Sequence, residues 1–358
     1  MLLAELLRRH RAELVDRYGL ELLPEQRRAA ECIVNCRTEA CGQTLLVCPR
    51  CGTEHAHAHS CSHRACPTCQ NHSTTRWLAR QNAKLLPVRY YLLTFTVPAQ
   101  LRSTVYRHQR PLYEALFQAV TDTIRDVAGN ARYLGAEPGM TTVLHTHSRS
   151  LEYHPHIHVV MPAGGVDRKA HCFRPGSRRY MFPAAVLKRL FREKFLARCR
   201  ALDIRYHQSL HRIDWVVNIK AAGCGKPALQ YLSKYLYRGV IRERNIVSDI
   251  DSQVTFQYTD SKTGLRNTRT LPAVDFLFLL LKHTLPKRFR RTRDHGFLHG
   301  NARRTLRLIQ LKLRAEPVAT VVPPVTVRCP HCAIRFAFPR SAPQPVSSPS
   351  PLRIRGSP

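Results

Sequence analysis

Histidines two residues apart lie in an apolar stretch of the chain, HPHIHVVMP at 154–162. In an extended strand, residues two apart share a face, so His156 and His158 can hold one divalent ion while Ile157 points into a core. The His-x-His pattern is short and also occurs at 57–59 and 145–147. Its apolar setting distinguishes the 156–158 pair, which we predict to bind a metal.

Two imidazoles leave positions open for a third ligand and for substrate oxygens, as a Lewis acid acting on a phosphodiester requires. The stretch TTVLHTH at 141–147 predicts a strand that forms an antiparallel hairpin with the histidine strand. His145 is therefore the first candidate for the third ligand. His154 and Glu152 are alternatives, and a purely structural His145 is another.

A nucleophile for such a site is offered by Tyr231 and Tyr235, which lie one turn apart on a predicted helix that begins near Pro227. A phenol is a poor nucleophile, but a metal-polarised phosphate lowers the demand on it. The product is a covalent phosphotyrosine, which conserves the energy of the phosphodiester for rejoining without ATP. The alternative is that both tyrosines pack in a core.

Cysteine pairs provide a second metal-binding signal. Cys48-Pro-Arg-Cys51 and Cys66-Pro-Thr-Cys69 have the spacing of a four-thiolate zinc ribbon, which predicts structural Zn. Another pair, Cys329-Pro-His-Cys332, resembles half a zinc knuckle without a visible partner. Spacing does not decide between a second site and an alternative ligand set for the remaining candidates, which are Cys32, Cys36, Cys41, Cys61 and His63.

The charge of the chain indicates its partner. Lys and Arg number 57 against 24 Asp and Glu, a net charge of +33 over 358 residues. A nucleic acid is the expected partner, and a basic protein on other anionic surfaces or ribosomal RNA is the alternative. Between Lys282 and Arg314, Asp294 is the one acidic residue. Phosphate contacts are expected there from Lys287, Arg288, Arg290, Arg291 and Arg293.

No apolar run is long enough for a membrane span, since the segment from Phe276 to Leu281 ends at a lysine and predicts a buried helix. The amino terminus, MLLAELLRRHRAELVDRYG, predicts an amphipathic helix and not a signal peptide. We therefore expect a cytoplasmic protein, associated with the nucleoid when it is bound to DNA, with no membrane partner.

Hydrophobic patterns predict an α+β fold. VRYYLLTFTVP at 88–98 predicts a further strand, residues 104–127 and 183–202 predict helices, and 213–219 predict another strand. We expect four regions, listed in chain order: a helical start with a cysteine-rich zinc-binding domain at 1–85, a mixed domain with the candidate histidines and tyrosines at 86–300, a basic carboxyl region at 301–340, and a disordered tail at 341–358.

Several motifs taken together resemble the rolling-circle transposases of bacterial insertion sequences, which join an amino-terminal zinc-binding domain to a nuclease domain of the HUH endonuclease superfamily. The resemblance runs from about Cys36 to Arg304. The motifs that carry it, in order, are Cys36-Arg37-Thr38, SCSHRACPTCQ at 60–70, LHTH at 144–147, HPHIHVVMPAGG at 154–165, YLSKYLYR at 231–238 and HTLPKRFRRTRDHGFL at 283–298.

The resemblance implies a palm-like antiparallel sheet with flanking helices, preceded by a small zinc-ribbon-type domain that contacts DNA. It implies His156 and His158 as metal ligands, Tyr231 and Tyr235 as paired nucleophiles, Mg or Mn as the catalytic ion, and single-stranded DNA as substrate. This chain departs from the family at two positions, because Ala65 stands where a histidine is usual and His147 where a tryptophan is usual.

The predicted function is therefore a transposase that nicks and joins single-stranded DNA at element ends and targets through a 5′-phosphotyrosine intermediate. Two other functions compete with it: a zinc-ribbon DNA-binding regulator without enzymatic activity, and a metal-dependent phosphodiesterase that uses water. The sequence leaves open the end sequences, the oligomeric state and which tyrosine attacks first.

Overall fold

The computed structural model describes residues 3–170, 172–176, 182–223, 227, 229–230, 240–260, 263–316 and 327–336. Within these ranges the α-helices are α1 (Leu3–Arg9), α2 (Arg11–Tyr18), α3 (Pro24–Asn35), α4 (Gln70–Asn82), α5 (Arg102–Arg107), α6 (Gln109–Gly129), α7 (Ala184–Ala201), α8 (Ala273–Leu281) and α9 (Arg303–Lys312).

The strands are β1 (Gln43–Val47), β2 (Glu54–Ala58), β3 (Tyr90–Thr96), β4 (Glu137–Pro138), β5 (Met140–His147), β6 (Tyr153–Pro162), β7 (Gly164–Asp167), β8 (Cys172–Pro175), β9 (Val216–Ala221), β10 (Ile246–Ile250), β11 (Gln253–Thr259), β12 (Arg266–Pro272) and β13 (Thr292–His295).

A five-stranded antiparallel sheet in the order β13-β5-β6-β3-β9 forms the centre of the molecule. Alternate residues of its strands point to opposite faces. One face carries Leu93, Phe95, Leu144, Ile157 and Val159, which are buried in the main core. Helices α6 and α7 supply many of the other apolar side chains of this core and pack against each other. The sheet therefore has α6 and α7 on one face, and its histidines lie on the other face, where Trp77 of α4 packs against Val143 and Val160.

A second hydrophobic core packs the first three helices against residues 241–281. Leucines of α1 and α2, with Ala29 and Ile33 of α3, pack with the apolar residues of α8 and with Val254 and Phe256 of β11. Strands β10, β11 and β12 form their own antiparallel sheet beside this core. The shared core crosses the predicted boundary at residue 85, since residues 241–281 pack on the first helices. The boundary itself stays a prediction.

Most of the predicted elements agree with the structure, and the α+β fold with an antiparallel sheet is confirmed. The stretch 88–98 contains β3, the stretches 141–147 and 154–162 match β5 and β6 to within one residue, and the predicted helix at 183–202 is α7. Two predicted helices are each wrong in one respect. The amino-terminal helix is broken at His10 into α1 and α2, and the helix at 104–127 is broken at His108 into α5 and α6. In the described ranges, none of the helices combines the length and apolar character needed to cross a bilayer.

Candidate metal centre

Three buried histidines converge at the middle of the central sheet. His145 of β5 lies directly opposite His156 of β6, and Val143 lies opposite His158. Since residues two apart share a face, all three imidazoles lie on the face that α6 and α7 leave uncovered. Their ligand atoms all lie within 4.8 Å of one another. The predicted convergence of His145 with the other two therefore agrees with the structure.

Hydrogen bonds to the second ring nitrogens orient two of these imidazoles. His156 Nδ1 lies 2.6 Å from the carbonyl oxygen of His154, which can only accept, so this nitrogen carries the proton. His158 Nδ1 lies 3.0 Å from the Thr94 hydroxyl on β3. Both Nε2 atoms are thereby turned toward the same point, 3.1 Å apart. Such partners fix the orientation of histidine ligands at metal sites.

Burial keeps these imidazoles neutral. It lowers the pKa of His158 to about 4, and burial together with the neighbouring histidines lowers the pKa of His145 and His156 well below the ordinary value. Neutral imidazole is the form that binds a metal. At neutral pH each ring therefore has a lone pair available for coordination.

The donor geometry fits a divalent cation. Ligands on adjacent corners of an octahedron, each about 2.1 Å from the ion, are about 3.0 Å apart. The Nε2 atoms of His156 and His158 have nearly this separation, 3.1 Å. The residues that would hold the ion are His145, His156 and His158.

The other predicted candidates lie outside this cluster. Glu152 forms an ion pair with Arg269 at 2.6 Å, and His154 contributes its backbone carbonyl. His147 is half-buried and packs against His283, with ring centroids 5.4 Å apart. Thr94 was missed by the sequence analysis, because its contact with His158 depends on the β3–β6 register.

The predicted nucleophiles, Tyr231 and Tyr235, lie outside the described residues. The chain just before them is placed: Pro227, Leu229 and Gln230 are helical. Leu229 is buried in a cluster with Trp77, Tyr90, Val143 and Val160. Val143 and Val160 are on the histidine face of the sheet, so the predicted tyrosine helix begins on that face.

The predicted zinc ligand set is wrong. Cys48, Cys51, Cys66 and Cys69 do not form one group but belong to two different four-cysteine clusters. The first contains Cys66 and Cys69 with two of the unassigned candidates, Cys36 and Cys61. Spacing along the chain could not show this, because Cys36 is brought in by the end of α3.

The first cluster has the distances of a thiolate metal site. Cys69 Sγ lies 3.5 Å from Cys36 Sγ and 3.6 Å from Cys61 Sγ. Hydrogen bonding with Cys61 lowers the pKa of Cys66 to about 5, which favours the thiolate that zinc requires. His63 is not a member, since its Nδ1 accepts a hydrogen bond from the backbone of Ala65. The second cluster joins Cys48 and Cys51 to Cys329 and Cys332.

The five basic residues predicted to contact DNA are not equivalent. Lys287, Arg288 and Arg290 are exposed, whereas Arg291 and Arg293 are half-buried. Arg291 donates a hydrogen bond to the Leu144 carbonyl at 3.0 Å. Arg293 binds both carboxylate oxygens of Glu114, at 2.6 and 2.7 Å, and stacks 4.0 Å from the centre of the Phe117 ring. The prediction that Arg293 contacts DNA does not fit this placement, because its guanidinium group is paired with Glu114 within the protein.

A buried trihistidine cluster on an antiparallel sheet has the donors to hold a divalent ion, and the exposed basic side chains suit a nucleic-acid partner. Two family models match the chain: "Transposase zinc-binding domain" at residues 6–97 and "Putative transposase" at residues 139–305. "Putative transposase y4qJ" of Sinorhizobium fredii is 33% identical over 330 residues, covering 84% of this chain and 83% of the relative.

The transposase for insertion sequence element IS801 of Pseudomonas savastanoi is 28% identical over 292 residues, covering 72% of this chain and 68% of the relative. The chain belongs to the family of rolling-circle insertion-sequence transposases with an amino-terminal zinc-binding domain. It is a DNA transposase, an enzyme that nicks and transfers DNA strands. Its partner is DNA, and its zinc-binding domain and cysteine clusters support zinc as a cofactor.

Among solved structures, the chain is similar to the relaxase TrwC complexed with a 27-mer DNA that comprises the recognition hairpin and the cleavage site. The sequence identity is 13% and the TM-score 0.27, with 63% of this chain and 75% of that chain covered. A likeness of this size supports no conclusion about the mechanism.

Proposed function

We propose that this transposase cleaves and rejoins single-stranded DNA through a 5′-phosphotyrosine intermediate, with Tyr231 and Tyr235 as nucleophiles, and that its nuclease domain is of the HUH type. The observation that carries the proposal is the trihistidine site, with His156 and His158 Nε2 3.1 Å apart on one face of the sheet. A regulator without enzymatic activity would have no need for three buried, neutral imidazoles that converge.

The attacking phenol approaches this site from the chain that follows Leu229. Residue 231 follows Leu229 by two positions, and two residues span at most about 7 Å. Leu229 is buried in one cluster with Val143, the residue that pairs with His158. Chain length therefore allows a phenol at residue 231 to reach the histidine face.

In the cleavage step, the phenol oxygen of one tyrosine forms a bond to phosphorus, and the bond from phosphorus to the 3′ oxygen breaks. The proton lost from the phenol is balanced by the proton gained on the departing 3′ hydroxyl. For rejoining, a free 3′ hydroxyl attacks the phosphotyrosine and the phenol is released. A second tyrosine allows one covalent link to persist while another is formed.

The ion that His145, His156 and His158 would hold is Mg or Mn, and it would polarise the phosphodiester as a Lewis acid. Three imidazoles match Mn better than Mg, which prefers oxygen ligands. We therefore expect Mn to support cleavage at a lower concentration than Mg. The measurement is the rate of adduct formation against the concentration of each ion, and a lower requirement for Mg would contradict this assignment.

The exposed side chains of Lys287, Arg288 and Arg290, together with the zinc-binding domain, are proposed to hold the strand by phosphate contacts. They directly precede β13, the edge strand of the sheet, which pairs with β5, the strand that carries His145. These cations therefore lie in the segment that leads onto the catalytic sheet. Since the substrate is bacterial DNA, we place the enzyme's action in the cytoplasm, at the nucleoid.

The test is a covalent adduct. Purified protein is incubated with labelled single-stranded DNA carrying element ends, with Mn or Mg, and protein-bound label is measured after denaturation. We expect an adduct that disappears on chelation, in the double variant Tyr231→Phe/Tyr235→Phe and in His156→Ala/His158→Ala. Tyr237→Phe is the matched control and should retain the adduct, since residue 237 falls off the face shared by the two predicted nucleophiles.

The competing functions give different results. Cleaved DNA without an adduct, in a double tyrosine variant that remains active, would show a water nucleophile. Tight binding to the correct ends with no cleavage by the wild-type protein would favour a regulator. Either outcome would overturn the tyrosine mechanism and leave the family assignment intact.

A further inference from the structure

Two cysteine turns at opposite ends of the chain have the same backbone structure. In the first, Cys48 N donates to Thr53 O and Gly52 N donates to Cys48 O, both at 2.9 Å. In the second, Cys329 N donates to Ile334 O and Ala333 N donates to Cys329 O, again at 2.9 Å. Each turn thus bonds its first cysteine to the residues four and five positions later.

The backbone conformation repeats as well. Gly52 and Ala333, each directly after the second cysteine, have positive φ values of 69° and 57°. A left-handed conformation is unusual for alanine. Because Ala333 nevertheless adopts it at the position that corresponds to Gly52, the two turns have the same backbone conformation. Such Cys-x-x-Cys turns are the halves of a zinc ribbon.

The two turns meet so that their four sulfur atoms surround one point. Cys48 Sγ lies 3.5 Å from Cys332 Sγ, and Cys51 Sγ lies 3.7 Å from Cys329 Sγ. In a tetrahedral site with Zn–S bonds of about 2.3 Å, sulfur atoms are about 3.8 Å apart. The observed separations are close to this value, and all four sulfurs lie within 4.8 Å of one another.

Apolar contacts hold the same two segments together. Phe336 is buried in a small cluster with Cys48 and Cys329, against which Leu46 and Val327 pack. Its ring lies parallel to that of His55 on β2, with centroids 6.4 Å apart. The carboxyl segment 327–336 therefore rests on the β1–β2 hairpin through its cysteines and this phenylalanine. A cluster this small cannot hold a ten-residue segment by apolar burial alone.

We propose that Cys48, Cys51, Cys329 and Cys332 bind a second structural zinc ion, separate from the one at Cys36, Cys61, Cys66 and Cys69, and that this ion anchors the carboxyl segment to the amino-terminal hairpin. The ligands Cys48 and Cys332 are 284 residues apart in the chain. The second zinc thus joins the two ends of the transposase, and residues 327–336 adopt their fold only when it is bound.

The test measures zinc content and cysteine protection in the full-length protein. Wild-type protein should contain about two zinc ions per chain, and Cys329→Ser/Cys332→Ser about one. Brief alkylation followed by mass spectrometry should leave all eight clustered cysteines protected in the wild type. In the double variant, Cys48 and Cys51 should become alkylated while Cys36, Cys61, Cys66 and Cys69 stay protected.

The reciprocal variant distinguishes loss of the second zinc site from general misfolding. Cys48→Ser/Cys51→Ser should release Cys329 and Cys332 for alkylation and leave the first cluster intact. Cys32→Ser/Cys41→Ser, which changes cysteines outside both clusters, is the matched control and should keep about two zinc ions. The proposal is overturned if Cys329→Ser/Cys332→Ser retains the wild-type zinc content, or if Cys48 and Cys51 remain protected in it.

Discussion

Thr94 shows how one hydroxyl can determine the behaviour of the metal site. It lies opposite His158 in the β3–β6 register, and its Oγ1 is 3.0 Å from His158 Nδ1. By engaging this nitrogen, Thr94 leaves His158 Nε2 directed at the metal position. Thr94 touches neither the ion position nor, in our proposal, the DNA, so it is a positioning residue.

We expect Thr94→Val to weaken metal binding about tenfold, since loss of such a partner typically costs ten- to a hundredfold. The effect should appear as a higher Mn concentration for half-maximal adduct formation, with a nearly normal rate at saturating Mn. Thr94→Ser should restore the wild-type requirement. Thr96→Val is the control on the same strand face, and a loss equal to that of Thr94→Val would mean that both act only through packing.

The basic residues near β13 separate into two groups with different predicted effects. Replacing Lys287, Arg288 and Arg290 with Ala should weaken DNA binding, because these exposed cations can release counterions from phosphates. The slope of log K against log[salt] for single-stranded DNA should fall by up to about two. Stability should change little.

Arg293→Met should reduce stability and leave the salt dependence of DNA binding unchanged. The slope should remain at the wild-type value, while the free energy of unfolding falls by about 1–2 kcal/mol through loss of the Glu114 pair and of the Phe117 contact. Binding in a salt series and denaturant titration together distinguish the two groups. A reduced salt slope in Arg293→Met would restore Arg293 as a DNA contact.

At the scale of elements, the two cysteine turns differ at the position of positive φ, which is Gly52 in the first turn and Ala333 in the second. Glycine adopts a positive φ without cost, whereas alanine is strained there. Ala333→Gly should therefore strengthen zinc binding at the second site about fivefold, and Gly52→Ala should weaken it by a similar factor, each corresponding to about 1 kcal/mol. Among the described residues, none beyond its chain neighbours has an atom within 4 Å of a Cβ added at Gly52, so the change tests backbone strain alone.

Competition with a chromogenic zinc chelator would measure both affinities. The two substitutions should change the affinity for zinc of the second site, and the affinity of the first cluster should stay the same. If Ala333→Gly leaves its release unchanged, the positive φ at residue 333 is not a source of strain.

The elements that the sequence predicted well are those whose own side chains determine their form. β3, β5 and β6 have alternating apolar residues or β-branched runs, and α7 has helical spacing, so local patterns were sufficient. His145 could be grouped with His156 because a hairpin fixes its own register. The break at His10 was missed because the leucines of α1 and α2 continue one helical pattern across it.

At the scale of the whole molecule, prediction failed wherever distant segments meet. The pairing of Cys48 with Cys332 spans 284 residues, and no periodicity or spacing carries that information. The packing of α8 on α1 and α3 is of the same kind. Cys66-Pro-Thr-Cys69 was assigned to the nearest similar motif along the chain, whereas its true neighbours are Cys36 and Cys61. Tertiary contacts decided the ligand sets.

The two large cores are linked through a buried histidine. His283, just beyond α8, lies with Nε2 3.0 Å from the carbonyl oxygen of Leu151, in the loop between β5 and β6. Leu151 belongs to the second core, while β5 and β6 carry the first. Burial lowers the pKa of His283 to about 4, so the ring is neutral at pH 7 and donates its Nε2 proton to Leu151.

Acid should weaken this junction. Between pH 6.5 and 4 the unfolded chain binds a proton at residue 283 that the folded chain does not, so stability falls as the pH falls through this window. From pH 8 to pH 5 the loss is about 2 kcal/mol for a pKa lowered from 6.5 to about 4.

His283→Gln keeps a donor for Leu151 but does not titrate, so it should lose about 2 kcal/mol less than the wild type over the same range. Denaturant titrations at both pH values measure this difference. The acid release of zinc and the titration of the other buried histidines affect both proteins equally, so they cancel in the comparison. Parallel pH profiles for the two proteins would mean that His283 is not held neutral by the fold.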